Sequence, residues 1–516
     1  MDGATPRKRP LPIRIGRRSA ASGAVEEEAV AGRAREEEPL SPAAKLFHQP
    51  GFDCCIVAIM GLGKPVDVDV IRSGLEATLV RHPRFSSVPV LEESGGAEPR
   101  WVRTKVVVDN HIVIPDLEDQ RRAAAAAAAS PDQVVEDYVA SLTSAPMDRS
   151  RPLWDLHILN FPTSDAAAVA VLRVHHSLGD GTSLMSLLLA CTRKASDPDS
   201  LPTIPHQSRR PLASRKLHAG GGVFTLLLWL WAFLILAWNT LLDVLRFTAT
   251  STFSKDTPTP LTGPKGVEYH PKRIVHRTIS LDDIKDVKNA MHCTVNDVLV
   301  GVTSAGLSRY LSRRYGQKNV DEHGKKTQPP SNIRLRSTLL VNIRPIPGVH
   351  ALAELMEGRD GGTKWGNYIG YVILPISIFE YKDPMDYIRK AKEIAGRKKN
   401  SLEAIFTYKS GELIVKCFGI KAGATLCHRV LSNTTLSFSN MIGPVEEVAF
   451  YGHPIVYLAP TVYGHPQALT VHFQSYMNMM KMVVTVDDKV IPDAHQLLDD
   501  FAESIKLIKE AIPTKP

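Results

Sequence analysis

Short apolar runs bounded by turn residues recur through the first part of the chain. Phe52 to Ile59, Val106 to Val113 and Ala167 to Val174 have the length and residue types of strands, and Val68 to Arg81 carries apolar residues at helical spacing. In the later part, Thr338 to Ile343, Tyr368 to Ile376, Thr434 to Ser439, Leu469 to Tyr476 and Met480 to Val486 read as strands, the last two as a hairpin around Asn478. Helices are predicted from Val295 to Tyr310, behind the capping-box pattern Thr294 to Asp297, and from Asp493 to Ala511. Gly316 to Pro330, rich in Lys, Gly, Asp, Gln and Pro, reads as a mobile loop. The pattern is that of an α/β chain with two comparable halves.

Between the halves the polar positions almost disappear. From Val223 to Leu242 only Thr225, Asn239 and Thr240 are polar, and twenty helical residues at about 1.5 Å each reach about 30 Å, the thickness of the hydrocarbon layer. Trp229 and Trp231 fall near the middle of the run and Trp238 towards its end, which fits a helix lying in the interface as well as one crossing it. Arg209, Arg210, Arg215 and Lys216 precede it and would hold that side on the cytosolic leaflet. The alternative is a buried core helix. The chain is therefore divided into a disordered tail (1–38), an N-terminal domain (39–205), a linker carrying the apolar segment (206–262) and a C-terminal domain (263–516).

Composition adds limits. With 516 residues, 44% hydrophobic and 22% charged, the chain is neither a polytopic membrane protein nor mainly disordered. Six cysteines without a CxxC pair supply neither a disulfide scaffold nor a zinc site, which favours a reducing compartment. The tail lacks a secretory core; its Arg7, Lys8, Arg9, Arg14, Arg17 and Arg18 suit anionic lipid, nuclear import or simple solvation. The basic run Arg389, Lys390, Lys392, Arg397, Lys398, Lys399 fits either a solvated helix face or a site for phosphates or anionic lipid. His453, His465 and His472 lack metal-ligand spacing and read as structural. GxSxG, HExxH and the Walker A pattern are all missing, so there is no sequence case for a serine hydrolase, a catalytic metal or nucleotide hydrolysis.

The chemistry concentrates at one turn. The strand ending at Val174 runs into His175-His176-Ser177-Leu178-Gly179-Asp180-Gly181, and Thr182 opens an apolar helix. A strand-to-helix turn can expose an imidazole while its flanks fix it; Gly179 and Gly181 would relax the backbone, and Asp180 could brace the turn. By spacing alone the pair is a general base, a structural pair or a metal ligand.

HHxxxDG resembles the signature of the CoA-dependent acyltransferase superfamily. Further matches are Pro39-Leu40-Ser41-Pro42, Arg151-Pro152-Leu153-Trp154-Asp155, Asn296-Asp297, Val341-Asn342-Ile343-Arg344-Pro345, Gly366-Asn367 and Ser439-Asn440-Met441-Ile442-Gly443-Pro444. Together they are similar to the plant branch of the wax ester synthase/diacylglycerol acyltransferases. That resemblance implies two chloramphenicol-acetyltransferase-like domains with a tunnel at their interface, and an inserted membrane helix. It makes His176 the general base and His175 its support, Asp180 structural, Gly181 the residue that permits the turn, and Pro152, Leu153 and Trp154 a wall of the acyl channel. Asn296 and Asp297 would be structural, Asn440 or a nearby backbone amide of the Ser439-to-Pro444 segment an oxyanion donor, and Arg84 or Arg344 the ion-pair partner of Asp180. The implied reaction is direct transfer from long-chain acyl-CoA, a substrate and not a cofactor, to a fatty alcohol or diacylglycerol, with membrane lipid as a partner, no metal and no nucleic acid. A polar acceptor or a silent acyl-CoA-binding scaffold are the alternatives. The implied location is the endoplasmic reticulum membrane, or the plasma membrane, with a monotopic or re-entrant segment, both halves cytosolic, and the Asn433-Thr434-Thr435 triplet unglycosylated.

Overall fold

The computed structural model describes residues 37–91, 98–203, 223–318, 332–343 and 365–513. The tail to residue 36, the flank Arg209 to Lys216, Arg344, and positions 319–330 of the expected mobile loop lie outside the described residues.

Two large sheets organise the chain. The first has seven strands in the order Ile112–Val113, Trp154–Leu159, Ala168–His175, Cys55–Leu62, His453–Tyr463, Val448–Phe450, Thr192–Lys194. The second has six, in the order Ile369–Ser377, Arg334–Asn342, Leu436–Ile442, Leu469–Tyr476, Met479–Val486, Arg273–Ser280. The halves are interlocked, because strands 448–463 come from the later part of the chain and pair within the first sheet, from Ile455 opposite Leu62 to Tyr463 opposite Cys55. Cys55–Leu62 is almost wholly buried and so requires a hydrogen-bonded neighbour on each side; His453–Tyr463 is the second. Phe438, Phe473 and Met482 of the second sheet pack under the helices Val295–Lys318, Met385–Lys399 and Ala494–Glu510.

The apolar patterning locates the main elements, and the departures have local causes. Of Val106 to Val113 only Ile112–Val113 is a strand, since Val108–Asn110 forms a 3-10 turn. The helix from Val68 stops at Ala77, where Thr78 leaves helical geometry at φ −132° and turns its hydroxyl back to the Gly74 carbonyl at 2.7 Å. Val295–Lys318 outruns Tyr310 because Arg313 pairs with Asp493 and Asp500, at 2.7 and 2.8 Å, on the last helix and the residue that precedes it. The hairpin at Asn478 forms as read, with Tyr476 opposite Met479.

The apolar segment is one helix, Val223–Thr252, about 45 Å long at 1.5 Å per residue, and it is not a core helix. Every residue from Leu226 to Ile235 is exposed, and its most apolar stretch has a mean hydropathy of 1.9. Only the later part docks, through Asn239, Asp243, Phe247 and Thr250, which recur on one helical face. Asp243 is fully buried and accepts from Arg397 at 2.7 Å and Lys398 at 2.9 Å. This consumes part of the basic run: Lys398 also meets Glu403, Lys399 meets Asp297, and Arg389 meets Asp383 and Asp386. Much of the run is therefore engaged in ion pairs that join neighbouring elements.

Candidate active site

The HHxxxDG turn stands at the end of a central strand. The His175 N–H donates to the Leu153 carbonyl at 3.0 Å and the His176 N–H to that of Cys54 at 2.8 Å, so both neighbouring segments fix the exit of the chain. Beyond the turn, the Asp180 carboxylate caps the helix Gly181–Ala190 by accepting from the Ser183 N–H at 2.9 Å.

The two histidines have opposite surroundings. His175 donates through Nε2 to Asp53 at 3.0 Å, accepts at Nδ1 from the Ser177 hydroxyl at 2.7 Å, and stacks on His48. Both of its nitrogens are used, and Asp53 is held below the usual carboxylate range chiefly by that hydrogen bond. His176 is buried against Phe47 with ring centroids 4.2 Å apart, and its Nδ1 lies 3.1 Å from Asn367 Oδ1. The Asn367 amide nitrogen donates to the His176 carbonyl at 2.9 Å. A carbonyl can only accept, so this second bond fixes the carboxamide with Oδ1 at the ring; Nδ1 then carries the proton, and Nε2 is left as the basic atom. Burial pushes the His176 pKa down to about 4, so the ring is neutral at neutral pH.

A strip from the second half closes over the turn. Trp365 Nε1 donates to the Leu178 carbonyl at 2.6 Å, the Ser183 hydroxyl to the Gly366 carbonyl at 3.1 Å, and the Tyr368 N–H to Asp180 Oδ2 at 3.0 Å. Gly366 sits at φ 120°, a backbone angle that a side chain would resist, and its carbonyl thereby reaches the turn. The Asp180 carboxylate thus ties both halves together. Arg84 is not its partner, for its guanidinium pairs with Glu38 and stacks on Trp101.

Gly181 and Gly179 act through space and not through an unusual backbone angle. Neither has positive φ; a Cβ on Gly181 would lie 2.9 Å from Met441 Sδ, and one on Gly179 3.1 Å from the Trp365 ring. They let the second half approach the turn.

Two cavities flank Trp365 to Ile369. One, about 270 Å³, is lined by His176, Gly181, Asn296, Asn342, Ser439 and Asn440. The other, about 380 Å³, is lined by Ser177, Leu178, Asn367, Tyr371, Phe247 and Val415, among others. Asn440 faces the first cavity, yet its amide nitrogen donates to Asn296 at 2.9 Å, and its oxygen is buried without a partner among the described residues. Asn296 is thus on the cavity wall, while Asp297 closes the capping box by accepting from the Thr294 N–H at 2.8 Å. Leu153 and Trp154 line neither cavity. They are buried in the core, where the indole N–H donates to the Phe85 carbonyl at 2.9 Å and the ring stacks on His111; Pro152 opens onto a separate surface pocket. His453, His465 and His472 are buried and are not among the residues lining either cavity, and His453 accepts from the Asp67 N–H at 3.0 Å. Asn433 is also buried, its amide donating to the Thr250 carbonyl at 2.7 Å.

Sequence reasoning assigned no role to Phe47, Asp53 or Asn367, although Gly366-Asn367 had been noticed as a matching pair. Nothing within their own segments distinguishes them; only the fold brings them to the turn.

Comparison with known proteins agrees with this arrangement. The wax ester synthase/diacylglycerol acyltransferase catalytic domain model matches residues 55–299, and the WS/DGAT C-terminal domain model matches residues 365–509. The Arabidopsis thaliana protein named wax ester synthase/diacylglycerol acyltransferase 6 is 50% identical over 491 residues, covering 92% of this chain and 94% of that protein. Wax ester synthase/diacylglycerol acyltransferase 11 of the same plant is also 50% identical, over 477 residues, covering 92% and 96%. Among solved structures, the wax ester synthase/diacylglycerol acyltransferase from Marinobacter aquaeolei VT8 shares the fold with a TM-score of 0.55 at 16% identity, over 92% of this chain and 99% of that one. The condensation domain from Monacolin K polyketide synthase MokA does so at 0.53 and 12%, over 92% and 97%. Half its residues in common with plant relatives along nearly their whole length, and an intact motif between two interlocked halves, mark the chain as an acyltransferase that belongs to the wax ester synthase/diacylglycerol acyltransferase family.

Proposed function

We propose that the protein transfers a long-chain acyl group from acyl-CoA to the hydroxyl of a fatty alcohol, giving a wax ester, or of diacylglycerol, giving triacylglycerol. The observation that carries this reading is the neutral His176 with its proton fixed on Nδ1 by Asn367, beside a cavity at the junction of the halves.

His176 Nε2 takes the hydroxyl proton while the alcohol oxygen attacks the thioester carbonyl. The tetrahedral intermediate collapses, the C–S bond breaks, and the imidazolium returns its proton to the CoA sulfur. No covalent acyl-enzyme forms, and acyl-CoA enters as a substrate and not as a resident cofactor. General base catalysis of this kind contributes about 10² to 10⁴ in rate, roughly 3 to 5 kcal/mol; positioning and oxyanion stabilisation supply the rest. Asn440 contributes the oxyanion donor through the amide hydrogen that Asn296 does not take. His175 acts by holding the turn, and Asp180 by joining it to Tyr368.

In this reading residues 39–205 carry the base, 263–516 close the cavity, and 206–262 attach the enzyme to the endoplasmic reticulum membrane, with both halves on the cytosolic face. The shared first sheet supports that topology, because halves hydrogen-bonded in one sheet occupy one side of a bilayer. Expression of wild type and His176→Ala in a host without neutral-lipid synthesis, supplied with palmitoyl-CoA and either hexadecanol or diacylglycerol, tests the proposal. Ester made only by the wild type is the expected result, and equal ester from both would refute the base.

A further inference from the structure

The apolar helix is not the only lipid-like surface of the molecule. The helical element Glu403–Ser432 bends at Gly419, where φ 80° and ψ 170° leave helical geometry, and the two arms pack closely enough that a Cβ on Gly423 would lie 2.6 Å from Val415. The result is a protruding elbow. None of residues 408–423 is buried, and its tip reads Leu413-Ile414-Val415-Lys416-Cys417-Phe418-Gly419-Ile420. Phe418 is 75% exposed and Leu413 60%, so large apolar side chains stand in water, uncovered by any neighbour among the described residues.

The charges around the tip select the occupant. Lys416 and Lys421 are exposed and form no ion pair among the described residues, and the single acidic side chain nearby, Glu412, is taken by Lys409 at 2.9 Å. An apolar tip ringed by unpaired lysines suits the interface of an anionic bilayer, where side chains such as Phe418 enter the acyl region and ammonium groups meet phosphates. The elbow is also continuous with the apolar helix at its base. Phe247 of that helix meets Phe406 edge to face at 5.8 Å, and Val430 of the returning arm joins the same cluster.

The elbow is moreover a wall of the larger cavity. Tyr408, Val415, Gly423 and Cys427 line it from the arms, Phe247 from the apolar helix, Ser177 and Leu178 from the turn that holds His176, and Asn367 from the strip that closes over that turn. We propose that the elbow at Gly419 seats in the bilayer interface and forms the mouth by which the lipophilic acceptor passes from membrane to active site without crossing water. This rests on the acyltransferase reading and adds the route of one substrate.

The test uses the full-length protein in proteoliposomes of phosphatidylcholine with phosphatidylserine. Cys417 is exposed, whereas the other five cysteines are buried or half-buried, so a fluorophore can be placed on it directly. Quenching of that label by nitroxide lipids and protection from iodide are expected; quenching by iodide alone would overturn the proposal. In parallel, Leu413→Glu/Phe418→Glu should raise KM for vesicle-borne hexadecanol at least tenfold, with kcat at saturation and the kinetics with water-soluble hexanol within about twofold of wild type. Equal loss with both alcohols, or no change with either, would overturn it. So would conversion of a dimer to a monomer by the double variant with hexadecanol kinetics unaltered, which would make a second copy the occupant. If wild type made ester with neither alcohol, the acyltransferase reading itself would fall, and the quenching result alone would decide whether the elbow meets lipid.

Discussion

Asn367→Ala removes two hydrogen bonds at once, the 3.1 Å contact that holds the proton on Nδ1 of His176 and the 2.9 Å bond to the His176 carbonyl. Both groups are buried, so leaving them unpartnered costs about 1 to 3 kcal/mol each, part of it in stability and part in the orientation of the ring. A ring free to exchange tautomers presents its lone pair to the cavity only part of the time, and kcat should fall about 10- to 10³-fold, within the range available to a general base. Asn367→Asp separates this from simple disruption. A carboxylate next to the ring favours the imidazolium, so the His176 pKa should climb from about 4 by roughly one to three units. Because the base must be neutral, activity is lost as pH falls through that pKa. The acid limb of the kcat/KM profile, near pH 4 in the wild type, should therefore move into the range of roughly pH 5 to 7. Thiol release from palmitoyl-CoA with hexadecanol, followed against pH, measures both effects. Wild-type kcat in Asn367→Ala, or an unmoved acid limb in Asn367→Asp, would refute the reasoning.

Other expectations follow from the same structure. Asp180→Ala should melt lower than wild type by about 2 to 4 kcal/mol, since it uncaps the helix at Gly181 and strands the Tyr368 N–H, and Asp180→Asn should recover part of that loss in thermal melts. Asp243→Ala leaves Arg397 without its buried partner and Lys398 with Glu403 alone, which costs about 3 kcal/mol; limited proteolysis near residues 252–256 should accelerate as the apolar helix loosens. Acid should destabilise the fold well above the acid limb of activity. Burial holds His82 and His465 at about 3, so as pH falls below about 6.5 the unfolded chain takes up protons that the folded one refuses. Stability is complete above that pH and is lost below it by about 2 kcal/mol per group at pH 5; a melt at pH 5 equal to that at pH 7.5 would contradict the burial of neutral rings.

The legible parts of this molecule are those whose cause is local. His175, His176 and Asp180 stand in one continuous motif, and the strand Ala168–His175 announces itself by composition, so the turn could be read directly. Asn367 lies 191 positions from His176 and meets it only after both halves have folded; no spacing rule connects them. The core position of Leu153 and Trp154 was hidden for a related reason. An apolar triplet next to a motif looks the same whether it faces a substrate or the core, and the decisive contact, Trp154 with the Phe85 carbonyl, is again distant in sequence. The basic run at 389–399 looked like a solvated or phosphate-binding face because its partners Asp243, Asp297 and Glu403 belong to other elements. Gly181 was read from its backbone freedom, whereas the structure uses its missing side chain to admit Met441.

The strand exchange between the halves also sets a schedule for biosynthesis. Cys55–Leu62 cannot acquire its neighbour His453–Tyr463 until the ribosome has made about 400 further residues, which at about 5 to 20 residues per second is roughly 20 to 80 s. Throughout that interval the nascent chain carries an unpaired, wholly apolar strand edge beside the motif, a template for aggregation that chaperones must shield. A chain truncated before residue 448 would never close that edge, so premature termination should yield insoluble protein and not a half-sized enzyme.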